Sequence, residues 1–273
     1  MERKWIALWM GLFLFTSVGL AETVKGNGHL VTKKVAVEDF ESIKIGDGIR
    51  SESRWFGNNS KKDWAFQYSQ KSGESTLEIT IDENLFPLLR VKTKDGKLEI
   101  LTDDIKLVPT KLLIKGSSSE LKNVLINGSL DFVLTSELTS DELMLSIRGA
   151  GDLKMEYPVN LKTSEILISG AGDMYATMLT CSKIKVKISG AGDIQLKGTA
   201  NEGEFGVSGA GDLSAFDFIV KKLKCSVSGA GDMEVNASEY LEASVSGVGD
   251  ISYKGRAETS THVSGMGSIH DAN

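Results

Sequence analysis

The sequence has only three prolines, two cysteines and 7% aromatic residues in 273. Each shortage excludes something. Two cysteines are too few for a disulfide scaffold or a cysteine-built metal site. The basic side is short too, with 31 Lys and Arg against 37 Asp and Glu, a formal net charge of −6. That balance lacks the basic surplus of a phosphate-backbone binder and excludes nucleic acid as a partner. Pro87, Pro109 and Pro158 all precede residue 159, so the rest of the chain is free to donate every backbone N–H to a strand ladder. With 41% hydrophobic residues the chain still has enough apolar material for a core.

Long uncharged runs are also scarce. The one that stands out is Trp5 to Ala21, preceded by Arg3 and Lys4 and ending in Gly19-Leu20-Ala21. A basic start, an apolar stretch and small residues at the end form the layout of a secretory signal peptide, assigned to residues 1–21. No transmembrane segment is expected after its cleavage. The remaining 22–273 would carry 29 basic and 36 acidic residues, net −7, because Glu2, Arg3 and Lys4 leave with the leader.

Glycine, by contrast, is abundant, with 29 residues, and fourteen of them fall in one repeated motif. It starts as Arg148-Gly149-Ala150-Gly151-Asp152 and recurs as Ser-Gly-Ala-Gly-Asp from Ser169, Ser189, Ser208 and Ser228. Ser246-Gly247-Val248-Gly249-Asp250 and Ser264-Gly265-Met266-Gly267-Ser268 complete seven copies, spaced 18–21 residues apart. Asn127-Gly128-Ser129-Leu130-Asp131 is a degenerate earlier copy. Each full copy is preceded by Ile or Val (Ile147, Ile168, Ile188, Val207, Val227, Val245, Val263) and followed by an apolar residue. Apolar and polar positions then alternate, the period of a half-buried strand.

A strand–turn–strand unit of about twenty residues cannot bury its own inner face, and it has no room for a crossover helix. Stacking the units does bury that face. The expected fold is all-β: a right-handed parallel β-helix with coils of about 18–21 residues. Seven copies at one strand spacing per step would span roughly 29 Å. The motif glycines are expected to supply positive φ at a tight bend, or room where bends stack. The central Ala, Val or Met is expected to point inward.

Before the repeat the sequence is less regular. Residues 35–115 form irregular N-terminal coils and 116–271 the regular repeat of one domain, 22–273. Val91 to Ile100, centred on Asp95-Gly96, is a strong hairpin signal, and Asp82–Leu89 suits one helical turn. The motif ladder, the Phe40–Ile45 opening, Glu83-Asn84-Leu85-Phe86-Pro87-Leu88 and Gly96-Lys97-Leu98-Glu99-Ile100 resemble the putative auto-transporter adhesin, head GIN domain family. The resemblance spans roughly residues 35–271 and implies a β-helical, exported bacterial protein. Arg148 and Ser268 depart from the motif.

Two features invite a binding role. Asp152, Asp173, Asp193, Asp212, Asp232 and Asp250 would stack one per coil. Like charges 4.8 Å apart repel by about 0.9 kcal/mol in water and ~3.5 kcal/mol at an effective dielectric of 20. A row of Ca²⁺ ions would offset that, and so would hydrogen bonds from turn amides, the favoured account. Trp55, Phe56 and Trp64 flank a polar stretch; they suit a sugar ring or a partner's pocket, or else a cap on the open end of the solenoid. Cys225 falls in a core row, Cys181 lies elsewhere on the coil, and no disulfide is expected. His29, His262 and His270 have no metal-ligand spacing.

No nucleophile elbow, phosphate loop or HExxH occurs. The chain is therefore expected to be a non-catalytic, exported envelope protein, an adhesin or binding module for a glycan or envelope protein. The alternatives are a carbohydrate-active β-helix enzyme acting on acidic polysaccharide and a purely structural envelope protein.

Overall fold

A computed structural model describes residues 22–46, 48–50 and 64–273. The expected signal peptide, Trp55 and Phe56 lie outside the described residues. The chain is a β-solenoid of stacked parallel coils, about seven turns, with 63% of the structure in strands and no α-helix among the described residues.

The regular part builds three sides per turn. Side one is the strand before the motif, exemplified by residues 163–168, 183–188 and 202–207. Side two follows the motif, as in residues 174–176 and 194–196. Side three, as in residues 159–161, 179–181 and 198–200, closes the triangle. The two-sided unit expected from sequence omitted side three. Its run is short, and it joins side one through a single exposed residue such as Ser182 rather than through a glycine turn.

Every pairing in this zone is parallel and nearly in register, so identical positions form columns. Ile126, Ile147, Ile168, Ile188, Val207, Val227 and Val245 stack beneath one another, each no more than 1% exposed. Phe132, Leu153, Met174, Ile194, Leu213, Met233 and Ile251 form a second buried column on side two. Burying one such aliphatic side chain contributes on the order of 1.5–3 kcal/mol. β-Branched residues, stiff at χ1, fit these half-buried strands well.

The N-terminal region departs from the simple stack. Its strands are β1 (Thr23–Lys25), β2 (Leu30–Val35), β3 (Ser42–Ile45), β4 (Trp64–Gln70), β5 (Thr76–Asp82), β6 (Leu89–Lys94), β7 (Lys97–Thr102), β8 (Lys106–Val108) and β9 (Leu112–Ser118). β3 lies between β7 and the later strand Asn123–Ile126, parallel to both. β4 likewise lies between β9 and Asp131–Leu134. After β1 and β2, which pair with β8 and β5, the chain thus lays its first coil one position in with β3 and β4, builds the outer coil with β7 and β9, and returns over the first coil to begin the repeat. Antiparallel strands finish this end: β6 on β7, and β5 between β9 and β2. The Asp95-Gly96 hairpin forms as expected, with φ of 51° and 72°. The expected helical turn is a 3₁₀ turn over Phe86–Leu88.

Asp82 pins this cap. It is fully buried and accepts hydrogen bonds from the Gly28 amide (2.7 Å), the Thr110 amide (2.8 Å) and the Thr110 hydroxyl (2.8 Å). Burial pushes its carboxyl up, but these bonds together outweigh burial and hold it below its ordinary value of 3.8.

Candidate functional site

At the motif corner, none of the seven copies uses positive φ; among the described residues the glycines that do are Gly28, Gly73, Gly96, Gly198 and Gly255. What forces glycine is the stack itself. A Cβ on Gly170 would lie 1.9 Å from the carbonyl oxygen of Gly149, and one on Gly190 would lie 1.9 Å from that of Gly170. The second glycine of each copy meets the coil below just as closely, at 2.0 Å for Gly172 and 2.1 Å for Gly192. The residue between the glycines points outward, contrary to expectation. Ala150, Ala171 and Ala191 are exposed, as are Val248 (51%) and Met266 (87%). The glycine backbones hold the corner against the neighbouring coil, so only the residue between them has room for a side chain.

The six aspartates do stack, and their partners are amides of the next coil rather than of their own turn. The Asp152 amide donates to Asp131 Oδ1 (3.0 Å), Asp173 to Asp152 (3.2 Å) and Asp193 to Asp173 (2.9 Å). Asp212 donates to Asp193 (2.8 Å), Asp232 to Asp212 (2.7 Å) and Asp250 to Asp232 (2.8 Å). The degenerate copy at Asp131 begins this ladder. Ser268 ends it, giving both its amide and its hydroxyl to Asp250 Oδ1 at 2.6 Å. The Ser268 hydroxyl and then its amide hold the Asp250 carboxyl below its ordinary value. A charge-assisted amide contact at each step offsets the repulsion expected along the row. Among the described residues no group of three His, Cys, Asp or Glu side chains could hold a metal ion.

Trp64 opens β4 and its indole N–H donates to the Ser129 carbonyl (2.8 Å), tying it to the adjacent coil. Arg50 and Trp64, which bracket the Trp55–Phe56 stretch, sit where later coils carry the glycine motif, since Ile45 pairs with Ile126 and Phe66 with Phe132. That corner is one coil in from the capped end.

Sequence reasoning did not anticipate two troughs on the outside of side one. The first, of about 640 Å³, is walled by charges that alternate from coil to coil. Lys122 pairs with Glu41 (2.7 Å), Lys185 with Glu165 (3.5 Å) and Lys183 with Glu202 (2.8 Å). Lys183 keeps the Glu202 carboxyl below its ordinary value. The second trough, of about 480 Å³, carries the serines of the motif, among them Ser169, Ser189 and Ser208, and shares Glu204 with the first. A Cβ on Gly206 would meet nothing closer than 3.8 Å, so packing does not require glycine there. The signal for the charge rows was present as acid and base swapping every twenty residues, legible only once the register is known.

Cys181 and Cys225 are buried free thiols on sides three and one. Burial pushes both up to about 12, so neither is a nucleophile at neutral pH. His262 and His270 are exposed, and His270 Nε2 lies 2.6 Å from the Ser268 hydroxyl.

The fold has close counterparts of known structure. A putative lipid binding protein from Parabacteroides distasonis is 28% identical, with a TM-score of 0.84 over 92% of this chain and 100% of that one. A putative adhesin from Parabacteroides merdae is 29% identical, with a TM-score of 0.82 over 93% of this chain and 100% of that one. A second putative adhesin from P. distasonis is 32% identical, with a TM-score of 0.80 over 91% of this chain and 99% of that one. No curated protein matches the chain. The sequence profile described as putative auto-transporter adhesin, head GIN domain, matches residues 60–257, and the chain belongs to that family.

Proposed function

We propose that the chain is an exported, non-catalytic binding module of the bacterial cell envelope, acting as an adhesin toward a glycan or an envelope protein. The observation that carries this is the state of the ladder carboxylates. Each accepts the next coil's amide N–H at Oδ1, which makes the row a structural seam rather than an acid–base pair. Family membership, the two similar putative adhesins and the signal-peptide layout of residues 1–21 support it. The outer troughs supply polar surface on a rigid support. The test is to pass residues 22–273 over an array of bacterial and host glycans and envelope proteins. Each bound polysaccharide is then incubated with the protein and examined for new chain ends. Saturable binding without cleavage is expected. Cleavage would establish the carbohydrate-active enzyme instead, and no binding to any surface would leave a purely structural role.

A further inference from the structure

A third pocket lies away from the repeat, on the outer face of the N-terminal sheet where antiparallel β5 meets β9 and β4. Its volume is about 660 Å³, within the range of small-ligand sites. Strand pairing sets two polar rows side by side across it. Thr76, Ser117 and Ser69 form one, since Thr76 and Ser69 both pair with Ser117. Lys34, Glu78, Lys115 and Gln67 form the other. The rows are two residues apart along each strand and therefore face the same way. Ser117 is only 4% exposed, and its hydroxyl lies 2.7 Å from that of Thr76.

Not all of these groups are engaged. Lys115 pairs with Glu78 at 3.8 Å, but among the described residues the Lys34, Lys71, Gln67 and Ser69 side chains have no ion-pair or hydrogen-bond partner. Three lysines against Glu74 and Glu78 make the lining net positive in a chain of net −6. Val35 and Val37, both partly buried, add an apolar flank. Ammonium groups complement a carboxylate, hydroxyls and an amide complement a ring's hydroxyls, and an apolar flank suits its C–H face.

We infer that this pocket binds a carboxylate-bearing sugar, a uronic acid unit within a glycan. The inference rests on the binding-module function proposed above and names its ligand class and place.

The test is calorimetric titration of residues 22–273 with a hyaluronan tetrasaccharide, with chitotetraose as the neutral control and inorganic phosphate as the free-anion control. Binding of the hyaluronan fragment alone is expected, weakening with added salt. Lys34→Ala with Lys71→Ala should weaken it at least tenfold and Ser69→Ala severalfold. Both changes are on accessible side chains and should leave thermal unfolding unaltered. Lys221→Ala, an exposed lysine of the repeat outside all three pockets, should leave binding unchanged. Failure of the fragment to bind, or binding that ignores the lysine pair, overturns this site; the binding-module function stands if the array shows another ligand and falls if it shows none. Equal, lysine-dependent binding of phosphate overturns the sugar assignment in favour of a simple anion site.

Discussion

The repeat and the N-terminal cap both use aspartate carboxylates to satisfy backbone amides, but they distribute the contacts differently. In the repeat, each of seven steps has one carboxylate–amide contact, six of them on partly or fully exposed aspartates, and the loss of any one leaves the others in place. In the cap, one wholly buried carboxylate gathers three bonds from two separate loops. A periodic structure can spread a task over every unit, whereas an irregular end has to concentrate it. The same contrast appears in glycine use: the motif needs glycine because the coil below is too close, while Gly96 is needed for its positive φ.

The comparison can be broken most severely at the motif corner. Gly190→Val would drive a side chain into the Gly170 backbone, which cannot give way, and should cost about 3 kcal/mol or more in urea unfolding. The adjacent exposed Ala191→Val should change stability by less than about 0.5 kcal/mol. Equal effects at the two sites would refute the stacking account.

Next comes the cap. Asp82→Ala strands two amides and a hydroxyl and should cost about 2–3 kcal/mol, with loss of hydrogen-exchange protection confined to β2 and β5. Because the folded carboxyl is held below 3.8, its contribution is present above that value and fades as pH falls through the lower folded value. The melting temperature of the native chain should therefore drop below about pH 4, and Asp82→Ala should flatten that drop. An unchanged acid profile in the variant would remove Asp82 from the account. A mid-ladder change, Asp212→Ala, removes one carboxylate–amide contact and should cost only about 1 kcal/mol. The smallest effect is expected from calcium. Excess Ca²⁺ and chelator should give the same melting temperature, and a clear upward shift in Ca²⁺ would make the ladder a cation site after all.

The solenoid itself was legible in the sequence because the Ile and Val before each motif keep one phase through seven copies. Asp95-Gly96 was legible because the turn chemistry is local. What stayed hidden depends on the coil register. The partner of each aspartate is the amide of the equivalent residue about twenty positions on, and no local rule points to it. The outward turn of Ala171 follows from the closeness of the Gly149 carbonyl, which only the stack reveals. The order of the N-terminal coils was beyond reach for a similar reason. The short strand Ser42-Ile43-Lys44-Ile45 carries nothing to say that it pairs on one side with residues 97–100 and on the other with 123–126. The uronic-acid pocket joins residues from four strands, and the Trp55–Phe56 stretch lies outside the described residues.

Ser268 has a consequence for growth. A polymer lengthens where its end offers what its middle offers. Every interior coil presents a carboxylate toward the coil that follows, so each turn is a template for the next. Ser268 presents none, and its hydroxyl is turned back to Asp250. A further coil laid on this corner would find no carboxylate to accept its amide. A single Asp-to-Ser difference in the last copy thus takes one contact away from end-to-end propagation.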